Sequence, residues 1–467
     1  MRGADIGVYG LGTMGSALAL NLAEKGFSVA VSNREEDWFD GFLGDAGVLA
    51  DRLQAHGALE HFVGALVPPR VVVLMIPSGA PVDDMIARLT PLLAQGDTLV
   101  DAGNADFNDT RRRTDDLAAS GLNFVGMGVS GGAEGARHGP SMMVGGPSES
   151  WQRLRPFLEE IAARFDDVPC VAHVGPDGAG HFVKTVHNGI EYADMQMIAD
   201  VYGLLRDVGG CDARRAERLF GGWRRGLLAS YLFDVTHAVL GVDDAATGQA
   251  LVDLIRDKAA QKGTGRWTVI EALRLGQSAN TIEAAVGARA WSSEDARRQA
   301  AAARFADLGG RATLPSPQEL EEAMITCRTL SHLQGMAVLR AASDHFGWSL
   351  DLAAIARIWR AGCIIRSDFL DLLTDVLEAC GAADDDPLLH PDIAALLDRG
   401  IPCLRRTVGA AVHAGQPVPV LSASLTWFDS LRQARGTANL IQAQRDFFGH
   451  HGFERIDRDG EFHGDWT

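Results

Sequence analysis

Short runs of aliphatic and β-branched residues recur along the first third of the chain, at Ile6–Tyr9, Ser28–Ser32, Val71–Ile76, Thr98–Asp101 and Asn123–Gly126. Between them lie stretches of helical periodicity, such as Gly15–Lys25 and Val82–Leu93. Strands that alternate with helices read as βαβ units, which assemble into a parallel, doubly wound sheet. The texture changes at the turn-rich junction Pro176-Asp177-Gly178-Ala179-Gly180. From there to Leu431, Ala-, Leu- and Arg-rich helical periods dominate and convincing strands are few, so this region is read as all-α. After Arg435-Gly436 come a short helix and a tail rich in Gly, His and Asp. Asp384-Asp385-Asp386-Pro387 reads as an exposed loop. The expected architecture is an α/β unit over residues 1–178, a large all-helical unit over 179–435 and a C-terminal tail over 436–467.

One turn in the α/β unit carries chemistry. Gly10-Leu11-Gly12-Thr13-Met14-Gly15 follows the strand Ile6–Tyr9 and opens the next helix. A bare G-x-G-x-x-G also marks any tight turn, but a strand before it and a helix after it are the context a dinucleotide requires. The first glycine permits the turn, the second lets a pyrophosphate approach the backbone, and the third lets helix pack closely on strand. Free N–H groups at the helix start then face the phosphates. The unit is therefore expected to be a Rossmann-type domain with Gly10, Leu11, Gly12, Thr13, Met14 and Gly15 on the cofactor. Asn33 and Arg34 stand at the end of the second strand, where a guanidinium suits the 2′-phosphate of NADP and an acidic residue would hold the ribose of NAD. Glu35, Glu36 and Asp37 follow at once. The expectation is NADP with a weakened preference, and NAD is the alternative.

Composition narrows the partners. The 467 residues are 46% hydrophobic and 22% charged, an ordinary globular mixture. A net charge of −18 opposes nucleic acid, which needs a basic stripe, but allows a small anion in a locally cationic cleft. No apolar run approaches the ~18 residues of a membrane span. Met1-Arg2-Gly3-Ala4-Asp5 leads directly into a strand, with no signal-peptide pattern. Cys170, Cys211, Cys327, Cys363, Cys380 and Cys403 include no C-x-x-C pair, which favours reduced thiols over disulfides or a zinc site. A cytoplasmic protein is expected.

The most informative stretch is Gly180-His181-Phe182-Val183-Lys184-Thr185-Val186-His187-Asn188-Gly189-Ile190-Glu191-Tyr192. On a helix, Lys184, His187, Asn188 and Glu191 fall at i, i+3, i+4 and i+7 and share one face, while Val183, Val186, Ile190 and Met197 face the other way. That polar face offers a base, an acid and two hydrogen-bonding groups. A Lys–Glu pair at this spacing is most often surface decoration; beside a dinucleotide unit it points to catalysis.

These motifs do not stand alone. Asp101-Ala102-Gly103-Asn104, Gly128-Val129-Ser130-Gly131-Gly132, Gly135–Ser141, Gln261–Thr268, Trp359–Ser367 and Asn439–Gly449 join the Gly10–Gly15 turn and the Lys184–Tyr192 helix. In this order they resemble the long form of 6-phosphogluconate dehydrogenase over nearly the whole chain, and several are absent from the wider β-hydroxyacid dehydrogenase group. The resemblance implies oxidative decarboxylation of 6-phosphogluconate to ribulose 5-phosphate, the pentose phosphate pathway reaction, with NADP and without metal. It implies Lys184 as general base and Glu191 as the acid that protonates the enediol intermediate. It further implies Asn104, Ser130, Gly131, Gly132, His187 and Asn188 on the sugar acid, with Asn104 also near the cofactor. For the phosphate it implies Tyr192, Lys262, Thr264, Arg289, Arg445 and His451, the last two donated by the tail of a neighbouring subunit in a homodimer. Read alone, Arg289 and Arg445 would pass as solvated helix arginines, and the Ser130–Gly132 glycines as a plain turn.

Departures from the family pattern are Ala102, Ala105, Ala133 and Val144, none of which removes a catalytic group. Glu35-Glu36-Asp37 replaces the usual Thr or Ser and a nearby basic residue, and bears on cofactor choice alone. A β-hydroxyacid dehydrogenase for an unphosphorylated acid would leave Lys262, Arg289, Arg445 and His451 without a purpose. A non-catalytic relative would have no use for Lys184 and Glu191.

Overall fold

The computed structural model describes residues 3–261, 263–383 and 385–466; Met1, Arg2, Lys262, Asp384 and Thr467 lie outside them. Its strands are β1 (Ile6–Tyr9), β2 (Val29–Ser32), β3 (Leu53–Ala55), β4 (Val71–Leu74), β5 (Thr98–Asp101), β6 (Asn123–Ser130), β7 (Ser141–Gly145), a small ribbon of β8 (Arg164–Phe165) and β9 (Val168–Pro169), and β10 (Val171–Gly175). Eight of these form one sheet in the order β3-β2-β1-β4-β5-β6-β7-β10. The strands β1 to β6 run parallel, as the βαβ pattern requires.

The parallel, doubly wound sheet expected from the sequence is present, and its parallel order stops at the far edge. There β7 pairs antiparallel with β6, and β10 runs alongside β7. The chain goes from Ser130 to Ser141 through only the short helix Gly132–His138, and returns directly beside β6. Such a connection is too short for a parallel crossover. Apolar clusters cover both faces of the sheet, one built on Val8, Leu18 and Val31, the other on Phe62, Val72 and Leu99. This doubly covered sheet explains why its strands are continuously apolar instead of alternating.

After β10 the chain enters a 25-residue helix, Ala179–Gly203, which lies directly on β6 and β7. It can do so because side chains are missing at the crossing. A Cβ on Gly180 would stand 2.3 Å from the carbonyl oxygen of Gly126, and one on Gly128 would stand 2.4 Å from Cβ of Lys184. Phe107, Phe182, Phe346 and Trp348 then lock the helix start to the α/β unit with edge-on ring contacts.

The rest of the helical body packs round this helix. Pro317–Phe346, a 30-residue helix, opens with a full capping box between Ser316 and Glu319 and stops at Gly347 in the left-handed region. It runs beside both Ala179–Gly203 and Pro391–Ala414. Phe182, Ile190, Leu330 and Leu404 are fully buried in one continuous core. Truncating such a residue to alanine costs ~2–5 kcal/mol. The tail ends in the helix Ala438–Gly449 and a ribbon of β11 (Phe453–Glu454) and β12 (Glu461–Phe462). The six cysteines are free and buried.

Candidate active site

Two opposite faces were expected of the Lys184 helix, but the structure encloses all of it from Ala179 to Ile190. Its polar residues are therefore not solvated. Lys184 is only 5% exposed. Burial pushes its pKa down to about 8, against a partial upward pull from the Glu191 carboxylate. Nζ of Lys184 lies 3.3 Å from Nδ1 of His187, and that nitrogen is also 3.3 Å from Oδ1 of Asn188. Burial, reinforced by the Lys184 charge, holds the His187 imidazole well below its ordinary pKa and so neutral. Glu191, one turn beyond Asn188, is raised by burial, with Lys184 and Arg289 opposing.

Two loops bring the remaining groups to this helix. The Oγ of Ser130, at the end of β6, is 3.3 Å from Nε2 of His187. Gly131 follows with φ 111°, and a Cβ there would stand 2.5 Å from the carbonyl oxygen of Gly362. Glycine is thus needed on both counts, and Gly132 continues at φ 63°. Beyond the end of β5, Oδ1 of Asn104 accepts from Nδ2 of Asn188 at 3.5 Å. The Asn104 loop is held by a buried cation: Arg113 donates to Asp101 (3.3 Å), Asp83 (2.8 Å) and the carbonyl of Gly79 (3.0 Å). Asp101 in turn accepts from the N–H of Gly103 at 3.0 Å.

Arg113 was not foreseen. In Arg111-Arg112-Arg113 nothing distinguishes the buried arginine from its exposed neighbours. Trp359 also escaped assignment; its ring packs edge-on to His187 at 5.4 Å. Its segment is stitched to β7, where Ser141 donates to the carbonyls of Ile358 (2.7 Å) and Gly362 (2.9 Å).

A cationic corner forms at the far end of the helix. The guanidinium of Arg289 stacks 3.4 Å above the ring of Tyr192. Gly265 makes room for that ring, since a Cβ there would stand 2.6 Å from it. Thr264 is the first residue of the adjacent helix, Thr264–Arg274, which is tied on by the Thr268 hydroxyl donating to the carbonyl of Thr185 at 2.7 Å. Tyr192, Arg289 and Thr264 are thereby gathered, and Lys262 lies outside the described residues. Arg445 and His451 are not gathered. Arg445 bonds Gln442 on its own helix and His451 packs on Phe448, and both are exposed. The tail helix keeps Gly449 helical and ends at His450, which takes the left-handed position, φ 50°.

At the other end, the three fingerprint glycines separate by environment. Gly10 has φ 103°, and a Cβ there would strike the carbonyl of Met75 at 2.5 Å. A Cβ on Gly15 would collide with the carbonyl oxygen of Gly10 at 1.8 Å, whereas Gly12 has nothing within 4 Å. The turn, the open approach and the close packing are each accounted for, so the residues fit a dinucleotide pyrophosphate. The helix Thr13–Glu24 has no side-chain cap and no acidic residue in its first turn, so its N–H groups face the open side. Leu11 N–H donates to Oδ1 of Asn33 at 2.9 Å, fixing the end of β2 against the loop. Arg34 is 85% exposed in its side chain, and Glu35 accepts from its Nε at 2.6 Å and from Nδ2 of Asn33 at 3.2 Å. The Glu35 carboxylate is therefore not turned into solvent; it is engaged by both Asn33 and Arg34.

Comparison with known proteins decides the family. Residues 5–175 match the NAD binding domain of 6-phosphogluconate dehydrogenase, and residues 180–466 match the 6-phosphogluconate dehydrogenase C-terminal domain. The chain belongs to the 6-phosphogluconate dehydrogenase family. It is 45% identical to the decarboxylating 6-phosphogluconate dehydrogenase of Synechococcus elongatus, covering 99% of each chain. It is 42% identical to the NADP(+)-dependent, decarboxylating 6-phosphogluconate dehydrogenase of Bacillus subtilis, covering 100% of each. In structure it resembles the Plasmodium falciparum 6-phosphogluconate dehydrogenase, with a TM-score of 0.95 and 34% identity over 99% of this chain and 100% of that one. That protein is described in its apo form, with its cofactor NADP+ and with its substrate 6-phosphogluconate.

Proposed function

We propose that this chain oxidises and decarboxylates 6-phospho-D-gluconate to D-ribulose 5-phosphate and CO2 with reduction of NADP. The observation that carries the reading is a buried Lys184 with its pKa near 8, set between the Asn104 and Ser130 loops and sharing its helix with Glu191. When bound, the oxidised nicotinamide accepts the hydride that leaves C3 of the substrate. Neutral Lys184 takes the proton of the C3 hydroxyl as that carbon becomes a carbonyl. Protonated Lys184 then donates to the new carbonyl oxygen, so that the C1–C2 bond can break, releasing CO2 and leaving its electron pair in an enediol. This polarisation needs no metal. Glu191, its carboxyl shifted by burial toward the protonated form, delivers a proton to the carbon that lost the carboxyl group, and Lys184 recovers the enediol proton as the product ketone forms.

Asn104, Ser130, Gly131, Gly132, His187 and Asn188 orient the sugar acid, while Tyr192, Lys262, Thr264 and Arg289 take its phosphate. A planar guanidinium suits that phosphate because it bonds two oxygens at once. Gly10 to Gly15, Asn33, Arg34 and Asn104 hold the cofactor. The exposed Arg445 and His451 complete the phosphate pocket of a partner copy in a homodimer. Exposed Leu440, Ile441, Phe447 and Phe448 on the same tail helix support an intermolecular docking role. The division at residues 178/179 and 435/436 separates the cofactor unit, the helical body and that tail. A cytoplasmic location suits the free thiols; among the described residues no helix is long and apolar enough to cross a membrane.

The test is turnover of 6-phosphogluconate with NADP and with NAD, measuring reduced nicotinamide and CO2 together. Equal amounts of both products are expected. Reduction without CO2, or equal use of unphosphorylated gluconate, would sink the reading.

A further inference from the structure

The tail helix Ala438–Gly449 is largely exposed, with Gln442 and Ala443 half-buried and Asp446 alone buried, at 2% exposure. Its carboxylate accepts four hydrogen bonds, from the N–H of Gly452 (2.9 Å), Nδ1 of His463 (2.7 Å), the N–H of Gly464 (2.8 Å) and Nε1 of Trp466 (2.8 Å). Those donors, led by the Gly464 N–H, hold the carboxyl far below the usual carboxylate range. The end of the chain is thus knotted onto one helical turn. Gln442 sits one turn earlier and uses both ends of its amide. Its Oε1 accepts from Nη1 of Arg445 at 3.0 Å, and its Nε2 donates to the carbonyl of Gly452 at 2.6 Å. Gly452 is therefore gripped at its N–H by Asp446 and at its carbonyl by Gln442. His450 is bound as well, its N–H donating to the backbone carbonyl of Asp446 at 2.8 Å. His451 lies between two anchored neighbours, and the same glutamine that anchors one of them steadies Arg445.

We propose that Gln442 is a positioning residue that presets Arg445 and His451 as a single phosphate-binding unit, with Asp446 as its anchor. This rests on the reading that those two groups hold the substrate phosphate. An exposed arginine loses rotamer freedom when it binds an anion, and holding it in place beforehand removes part of that cost. Only an amide serves here. It accepts from a guanidinium and donates to a carbonyl at once, where a carboxylate cannot donate and a thioether does neither well.

The experiment uses the full-length enzyme with Gln442→Met, Arg445→Ala and the double variant. Gln442→Met should raise KM for 6-phosphogluconate about tenfold, the weight of one hydrogen bond to a charged group, and leave kcat and KM for NADP within about twofold. In the Arg445→Ala background the added loss from Gln442→Met should be smaller than in the wild type, because no guanidinium remains to be held and only the placing of His451 is still lost. Gln442→Asn keeps the chemistry but loses the reach, and should repeat the KM increase. An unchanged KM in both Gln442 variants, equal losses for substrate and cofactor, or simple additivity in the double variant overturns the proposal. If Arg445→Ala itself leaves KM unchanged, the phosphate reading of the tail has failed, and the role of Gln442 falls with it.

Discussion

Nζ of Lys184 and Nδ1 of His187 lie 3.3 Å apart, one turn along the same buried helix. With the lysine at about 8 and the imidazole kept neutral, the only proton exchanged near neutrality at this pair is that of the amine. The expected pH profile of kcat/KM therefore falls below about pH 8, where Lys184 becomes protonated in the free enzyme. Lys184→Met should cost at least ~10²-fold in turnover. The same change should stabilise the fold. The lysine is lowered from 10.5 to about 8 on folding, so its burial destabilises fully below pH 8 and the penalty fades as pH rises toward 10.5. A gain of up to roughly 3 kcal/mol at pH 7, shrinking at alkaline pH, is expected in denaturant unfolding. An active variant would contradict the first expectation, and a less stable one the second.

Glu191→Gln separates the two proton transfers. Oxidation needs Lys184, so one equivalent of reduced nicotinamide should still appear rapidly when enzyme and substrate are mixed. The amide cannot protonate the enediol, so ribulose 5-phosphate should follow at least ~10²-fold more slowly. Rapid-mixing traces beside a product assay decide this; equal slowing of both signals would remove Glu191 from the acid role.

Subunit mixing tests the tail. An Arg445→Ala protomer retains Lys184, and a Lys184→Ala protomer retains its own tail. A heterodimer would then regain one complete site of two, and random pairing should restore about a quarter of the wild-type activity. Heterodimers that form without any recovery would mean that the tail serves its own chain.

Glu35 competes for Arg34 and Asn33, which a 2′-phosphate would otherwise use. Glu35→Thr should tighten NADP binding several-fold, since breaking an exposed ion pair costs only ~0–1 kcal/mol while one nearby repulsion is removed. NAD binding should barely move. Parallel titrations with the two cofactors check it, and equal shifts would assign Glu35 to the shared ribose.

What could be read beforehand was local. Helical spacing alone places Lys184, His187 and Asn188 within reach of one another, and β1 and β5 begin and end where their apolar runs do. The strands β3, β7 and β10 were not visible, because Leu53-Gln54-Ala55 is too short and the other two end in glycine among turn residues. The enclosure of the polar helix face was hidden too. It depends on Ser130, Trp359 and Asn104, which arrive from distant parts of the chain, and periodicity carries no information about them. The same holds for Arg113, whose partners are the last residue of β5 and the start of the helix Ala80–Leu89, neither of them on its own helix.

Gly128 contributes no atom to any proposed chemical step, yet Lys184 can pass β6 only because that residue ends at Cα. Even alanine there would place a methyl group inside the lysine stem and push the amine off its line. A mutational scan scored on turnover should therefore rank a residue without functional groups alongside the base itself. Shortening the amine at 184 would not rescue it, because the clash falls on Cβ and Cγ of Lys184, atoms that every amine-bearing analogue of that side chain must still place there.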